Sequence, residues 1–252
     1  MDKTFEGKTV LITGASNGLG RVCAKAFEAK GARLVICGRN QNKLEELLND
    51  FSKPQDHIFY AGDLNDYSKV EHLASRCPNN IEIILHAMGG GFGKRETFLG
   101  WSDFELLFKS NLGSGAELNR LIIPRMIENG YGRVLHVGSV ASEQAVASVG
   151  YNTVKAGLAA YVRSLGREVA SKGVVVTGIL PGGYNAPGNS WERLMAIKPE
   201  VVKKFVEEKQ PRGKLGSYHE IIPLIEFLCS AQSSMMTGCC VPIDGGEGIT
   251  YV

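Results

Sequence analysis

Short, mainly apolar runs recur along this chain, and most are followed by a longer amphipathic stretch. Runs of this kind read as strands covered on both faces, and the stretches between them are long enough to be crossover helices. Residues 9–13, 33–37, 57–61, 81–86, 133–137, 174–180 and 240–243 are expected to be strands. Residues 19–30, 42–50, 67–77, a long region over 102–128, then 151–172 and 219–230 are expected to be helices, with two further helical pieces within 190–210. Strand–helix alternation closes most readily as right-handed β-α-β units. The expected fold is therefore α/β, a doubly wound parallel sheet of about seven strands in three layers, α/β/α. No linker-like or repeated segment divides the 252 residues, which points to a single domain over 1–252.

Composition removes several function classes. Lys and Arg number 28 against 26 Asp and Glu, a formal charge of +2, so no basic excess suggests a nucleic-acid partner. No run reaches the roughly 18 apolar residues of a membrane span. The six cysteines show no CxxC pair and no histidines at ligand spacing, which favours free buried thiols over disulfides or a metal site. A cytoplasmic protein is expected, with neither a membrane nor a nucleic acid as partner. The 31 glycines are in excess and fall in clusters between apolar runs, where backbone must approach something closely.

The first cluster, Thr13-Gly14-Ala15-Ser16-Asn17-Gly18-Leu19-Gly20, lies where the first strand meets the first helix. Glycines there permit a tight turn and close approach of a pyrophosphate to free N–H groups at a helix N-terminus. The second strand ends Cys37-Gly38-Arg39-Asn40, without the acid that usually holds a ribose 2′-hydroxyl in NAD binders. Arg39 can instead pair with a 2′-phosphate through its planar fork, so NADP(H) is the expected cofactor; the alternative is a solvated surface arginine. Asp63, after the third strand, suits either an adenine amino group or a helix N-cap.

Tyr151 and Lys155 stand four residues apart at the start of a helix and share one face. A nearby ammonium favours phenolate and makes tyrosine a usable acid–base group, so Tyr151 suits a proton donor to a hydride-accepting carbonyl; the alternative is a chance pair with Lys155 snorkelling at the surface.

With the Thr13–Gly20 turn, Asp63, Asn111, Gly138-Ser139, Tyr151-x-x-x-Lys155, Pro181-Gly182 and Asp244-Gly245-Gly246 in this order, the chain resembles the short-chain dehydrogenase/reductase family over nearly its full length. Within that family it is most similar to 3-oxoacyl reductases. The resemblance implies a Rossmann-type fold and a catalytic set of Ser139, Tyr151, Lys155 and Asn111. Ser139 would bond the substrate oxygen, Lys155 would hold the nicotinamide ribose and lower the tyrosine pKa, and Asn111 would anchor a water between Lys155 and solvent. The implied cofactor-binding set is Gly14, Ser16, Asn17, Gly18, Leu19, Gly20, Arg39, Asp63, Leu64, Ala87, Gly89, Tyr151, Lys155, Pro181 and Gly182, with no metal. A homo-oligomer, dimer or tetramer, is implied as well, with the apolar tail 248–252 a candidate part of its interface.

The sequence departs from the family after the fourth strand, where Asn-Asn-Ala-Gly is usual and His86-Ala87-Met88-Gly89 stands here, followed by Gly90, Gly91 and Gly93. His86 is expected to be a structural residue. The threonine usual after Pro181-Gly182 has no clear match, with Asn185 a substitute. Substrate choice is expected in loops 89–99 and 141–150 and in a lid over 184–215, whose apolar residues either close over a ligand or pack on one another. Lys94 and Arg95 either meet an anionic substrate or are solvated. The expected function is an NADP(H)-dependent oxidoreductase acting on a small-molecule carbonyl or secondary alcohol. The alternative is an NADP-binding regulatory protein. An enoyl reductase is disfavoured, because that branch spaces its Tyr and Lys more widely.

Overall fold

The structure is a computed structural model and describes residues 3–250. In chain order the elements are β1 (Thr9–Thr13), α1 (Gly18–Ala29), β2 (Arg33–Gly38), α2 (Gln41–Asn49), β3 (Ile58–Ala61), α3 (Tyr67–Arg76), β4 (Ile83–His86), α4 (Trp101–Phe108), α5 (Ser114–Glu128), β5 (Gly132–Val137), α6 (Val149–Val169) and β6 (Val174–Pro181). Then come β7 (Tyr184–Asn185), α7 (Ser190–Ile197), α8 (Pro199–Lys209), β8 (Gly216–Ser217), α9 (Tyr218–Cys229) and β9 (Cys240–Ile243). The main sheet runs β3-β2-β1-β4-β5-β6-β9 and is parallel throughout.

Alternate strand residues serve opposite faces, as a two-residue period requires. Val10, Ile12, Leu34, Ile36, Ile83 and Leu85 pack with Phe27, Leu44, Ile225 and Leu228 from α1, α2 and α9. Leu11, Val35, Ile84 and Val134 pack on the other face with Leu73, Ile122, Leu158 and Val162 from α3, α5 and α6. The result is the expected three-layer α/β/α sandwich. Strand order reverses between β1 and β4, and the crevice beyond the carboxyl ends of these strands is where such sheets bind ligands.

The structure differs from the sequence expectations in two elements. The long helix over 102–128 is two helices, α4 and α5, joined by a π-helical stretch at Lys109–Gly113. The strands are also not apolar throughout, since β4 and β5 bury His86, Arg133 and His136. Arg133 is accommodated because Nε donates to the Ser230 carbonyl at 2.9 Å and Nη1 to that of Gly132 at 2.9 Å. All six cysteines are free thiols, four of them buried. No helix among the described residues is long and apolar enough to cross a membrane.

Candidate active site

The glycine-rich turn leaves β1 at Thr13 and runs into α1. Gly14 has φ +71°, and a Cβ there would stand 2.9 Å from backbone atoms of Ala87 and Met88 at the end of β4. A Cβ on Gly20 would stand 2.6 Å from the Gly14 carbonyl oxygen, so turn, helix and strand meet backbone to backbone. α1 carries no side-chain cap, because the Asn17 amide is turned away and donates to the Gly188 carbonyl at 2.9 Å. The Gly18 N–H donates to the Pro187 carbonyl at 2.9 Å. The N–H groups of Ser16, Asn17, Leu19 and Gly20 find no acceptor among the described residues. An open row of donors at a helix N-terminus fits a phosphate group.

Arg39 lies exposed just past β2 with no ion-pair or hydrogen-bond partner among the described residues. Asp63 is exposed and accepts from the Asn65 N–H at 3.1 Å. It is not the cap of α3; Asp66 is, accepting from Ser68 N–H at 2.9 Å. Leu64 is buried, and its carbonyl accepts from the Ser114 hydroxyl.

Tyr151 sits in the first turn of α6 and Lys155 one turn on, with the amine 5.6 Å from the Tyr151 ring centre. The Lys155 side chain is buried, and Nζ donates to the Val137 carbonyl at 2.9 Å. Burial pushes its pKa down to about 8. Burial pushes the Tyr151 phenol up, opposed by the nearby Ser139 hydroxyl, which favours the phenolate. Ser139 follows β5, where its Oγ also accepts from Ala141 N–H at 3.2 Å. β5 and α6 thus bring Ser139, Tyr151 and Lys155 together. In the protein alone, the influence that lowers the phenol's pKa comes from Ser139, and Lys155 is engaged by backbone.

Asn111 lies in the π-helical stretch, the kind of helix defect that often marks a functional site. Its side chain is fully committed. Oδ1 accepts from Gly90 N–H at 3.0 Å, while Nδ2 donates to the Gly90 carbonyl at 3.0 Å and to that of Leu107 at 2.9 Å. This clamp accounts for Gly89 and Gly90 of the glycine cluster after β4. Gly89 and Gly90 have φ +153° and +139°, and a Cβ on Gly89 would fall 2.7 Å from Asn111 Oδ1. Beyond them a turn closes from Lys94 N–H to the Gly91 carbonyl at 2.9 Å, and Lys94 pairs with Asp103 at 2.8 Å. Lys94 is therefore engaged within its own loop, while Arg95 is exposed.

Pro181 ends β6, and the turn after Gly182 is held by a residue that sequence reasoning missed. Glu247 accepts from Gly183 N–H at 2.6 Å and from the Gln210 amide at 2.5 Å. Its burial raises the carboxyl pKa. The Asn185 side-chain oxygen is buried and lacks a partner, as is Ser142 Oγ. Tyr184 lies close enough to Tyr151 for the two phenols to influence each other, and burial raises its pKa. His86 points into the core, where it meets Asn119 of α5 and His136 of β5, neither singled out by the sequence; for His136 a polar residue inside a mainly apolar strand was the available signal. Among the described residues no group of three or more His, Cys, Asp or Glu side chains is placed to hold a metal.

A family model described as Enoyl-(Acyl carrier protein) reductase matches residues 14–247. The chain belongs to the short-chain dehydrogenase/reductase family. It is 26% identical to the 3-oxoacyl-[acyl-carrier-protein] reductase of Aquifex aeolicus over 254 residues, covering 98% of this chain and 99% of that one. A 7α-hydroxysteroid dehydrogenase solved with NADH and 7-oxo glycochenodeoxycholic acid superimposes with TM-score 0.88 at 25% identity, over 100% of this chain and 98% of that one. The L-sorbose reductase of Gluconobacter frateurii, solved with NADPH and L-sorbose, shares the fold with TM-score 0.90 at 23% identity over the whole of both chains. Members of this family are oxidoreductases, and so is this chain.

Proposed function

We propose that the protein is an NADP(H)-dependent carbonyl reductase, or in reverse a secondary-alcohol dehydrogenase. The carrying observation is the convergence of Ser139, Tyr151 and Lys155 beside the open N–H row of the glycine-rich turn. The row would take the pyrophosphate, and Arg39 a 2′-phosphate. The cofactors of the two similar structures differ, so this choice rests on the absence of an acid at the end of β2 and on the unpaired guanidinium of Arg39. The orphaned Asn185 oxygen is a natural acceptor for the carboxamide N–H₂ of the cofactor, in place of the family's threonine. Bound nicotinamide would supply the hydride.

The chain's own residues supply the rest. Ser139 holds the carbonyl oxygen and Tyr151 gives it a proton, which stabilises charge where it develops. With the phenol raised and the amine at about 8, both groups are protonated at neutral pH, and the site is loaded for reduction. The four-residue spacing of Tyr151 and Lys155 favours carbonyl over enoyl chemistry.

Residues 184–215 form the lid of this proposal. Its helices pack Trp191 against Phe205 with ring centres 4.3 Å apart and planes tilted by 43°, and Asn17 and Gly18 tie its near end to the glycine-rich turn. Trp101 at 84% exposure and half-exposed Phe108 on α4, with Val149 on α6, support pairing of these helices in a homo-oligomer. Ile249 is 84% exposed and suits the same role, while Tyr251 and Val252 of the expected interface tail lie outside the described residues. The free thiols fit a reducing compartment such as the cytoplasm.

NADPH oxidation against 3-oxoacyl thioesters, keto sugars and simple ketones tests the reading. At least one class should be turned over, and Tyr151→Phe should lose turnover by three orders of magnitude or more with NADPH affinity retained. Near-full activity in that variant would overturn the assignment.

A further inference from the structure

His86 and His136 face each other across β4 and β5, in register, with ring centres 4.3 Å apart and planes 19° from parallel. Both are buried. Asn119 of α5 bridges them. Its Oδ1 is 2.9 Å from His86 Nε2, and its Nδ2 is 3.1 Å from His136 Nε2 and 3.1 Å from the Tyr161 hydroxyl on α6. An amide oxygen accepts and an amide nitrogen donates, so His86 carries its proton on Nε2 and His136 on Nδ1. Neither Nδ1 has a protein partner among the described residues. One is left as an acceptor and the other as a donor.

Both rings wall a small cavity of about 10 Å³, the space of a single water. Its remaining wall includes Asn111 and Ser110 of the π-helical stretch, Gly115 at the start of α5, and Val137, whose carbonyl holds the Lys155 amine. Asn111 Oδ1 and Lys155 Nζ also converge on Gly89, at 2.7 and 3.5 Å from its Cβ position. The cavity therefore shares Asn111 and Val137 with the surroundings of the Lys155 amine, and His86 Nδ1 lies 3.4 Å from the Cβ position of Gly115 in its wall.

We propose that His86 and His136 are positioning residues for the reaction. Stacked and neutral, they orient one water in this cavity, and that water orders the proton supply of Lys155 and Tyr151. The imidazoles change neither charge nor tautomer during turnover. The usual asparagine after β4 is thus exchanged for a ring pair locked by Asn119. The charged and titratable groups packed against the pair are Lys155 and Tyr161, both from α6. Burial keeps both rings neutral at working pH.

The proposal rests on the carbonyl-reductase reading, and Gly115→Ala tests it without touching a catalytic group. A Cβ at 115 would enter the cavity 3.3 Å from His136 Cε1 and 3.4 Å from His86 Nδ1, while alanine favours the helix. The expected result is an unchanged or higher Tm, unchanged NADPH affinity and KM, a kcat lowered about tenfold, and a changed solvent isotope effect with a shifted kcat–pH profile. His86→Asn should retain NADPH binding and show the same kinetic signature. ¹⁵N spectra of the wild-type imidazoles should show Nε2–H at His86 and Nδ1–H at His136. A Gly115→Ala enzyme with wild-type kcat, pH profile and isotope effect overturns the proposal, as do reversed or titrating imidazoles between pH 6 and 8. Wild-type protein that reduces no carbonyl in the panel overturns the underlying reading and the proposal with it. Active wild type with unaltered variants overturns the proposal alone.

Discussion

Lys155 meets opposing demands at the level of the single residue. The proposed reaction needs its amine beside Tyr151, yet the fold buries it against one carbonyl. The folded pKa of about 8 lies below the free value of 10.5, so the folded chain holds this proton less tightly than the unfolded one. Stability therefore rises as pH climbs from about 8 to 10.5, and below 8 the full penalty applies, about 3 kcal/mol at 1.36 kcal/mol per pH unit. Lys155→Met should abolish turnover and raise the cofactor-free unfolding free energy at pH 7 by about 1–3 kcal/mol. Urea titration checks this, and a destabilised variant would refute it. Arg39 is the opposite case, exposed and without a partner, so changing it should leave stability alone. Arg39→Asp should cut the preference for NADPH over NADH by about 10- to 100-fold, as loss of a charged hydrogen-bonded pair predicts. Unchanged Michaelis constants for both cofactors would sink the 2′-phosphate assignment.

At the scale of elements, the strands were legible because a parallel sheet buried on both faces must be apolar for several residues in a row. Tyr151 and Lys155 were legible as a pair because helical spacing alone places them together. The break at Lys109–Gly113 was not. Nothing local in Lys109-Ser110-Asn111-Leu112-Gly113 demands a π turn; its partner is Gly90, twenty-one residues away. The tether between the segment proposed as a lid and the glycine-rich turn is equally non-local. Gly188 has φ +72°, and a Cβ there would stand 2.1 Å from Asn17 Oδ1. Gly188→Ala should push the lid off the turn and break the Asn17 bond. Hydrogen exchange at residues 186–197 should then accelerate at least tenfold while the β-sheet amides stay protected. Equal exchange in both proteins would show that the tether does not hold the lid.

For the whole molecule, the buried imidazole pair sets an acid limit. Burial pushes His86 down to about 4 from 6.5, and it pushes His136 well below the free value too. The unfolded chain takes up these protons as pH falls through 6.5, whereas folded His86 stays neutral until about pH 4. Stability is thus fully present above 6.5 and lost progressively below it, by about 3 kcal/mol from His86 alone. His136 acts in the same direction. The surface carboxylates Asp50, Asp66 and Glu220 contribute little to this slope because they are solvated. Unfolding free energies measured from pH 7 to 4.5 should fall less steeply for His86→Asn than for wild type, and parallel slopes would contradict the burial argument.

The sequence by itself determined the layered sheet, the turn that admits a phosphate and the helix face that pairs Tyr151 with Lys155. Each depends on a period or a spacing that neighbouring residues impose on one another. Tertiary structure alone decided what Asn111, Asn17, Lys94, Glu247 and His86 bond to. Most of their partners come from other segments of the chain, and a polar group drawn wholly or partly out of water takes the partner that the packing brings within reach, because leaving it unpaired is costly.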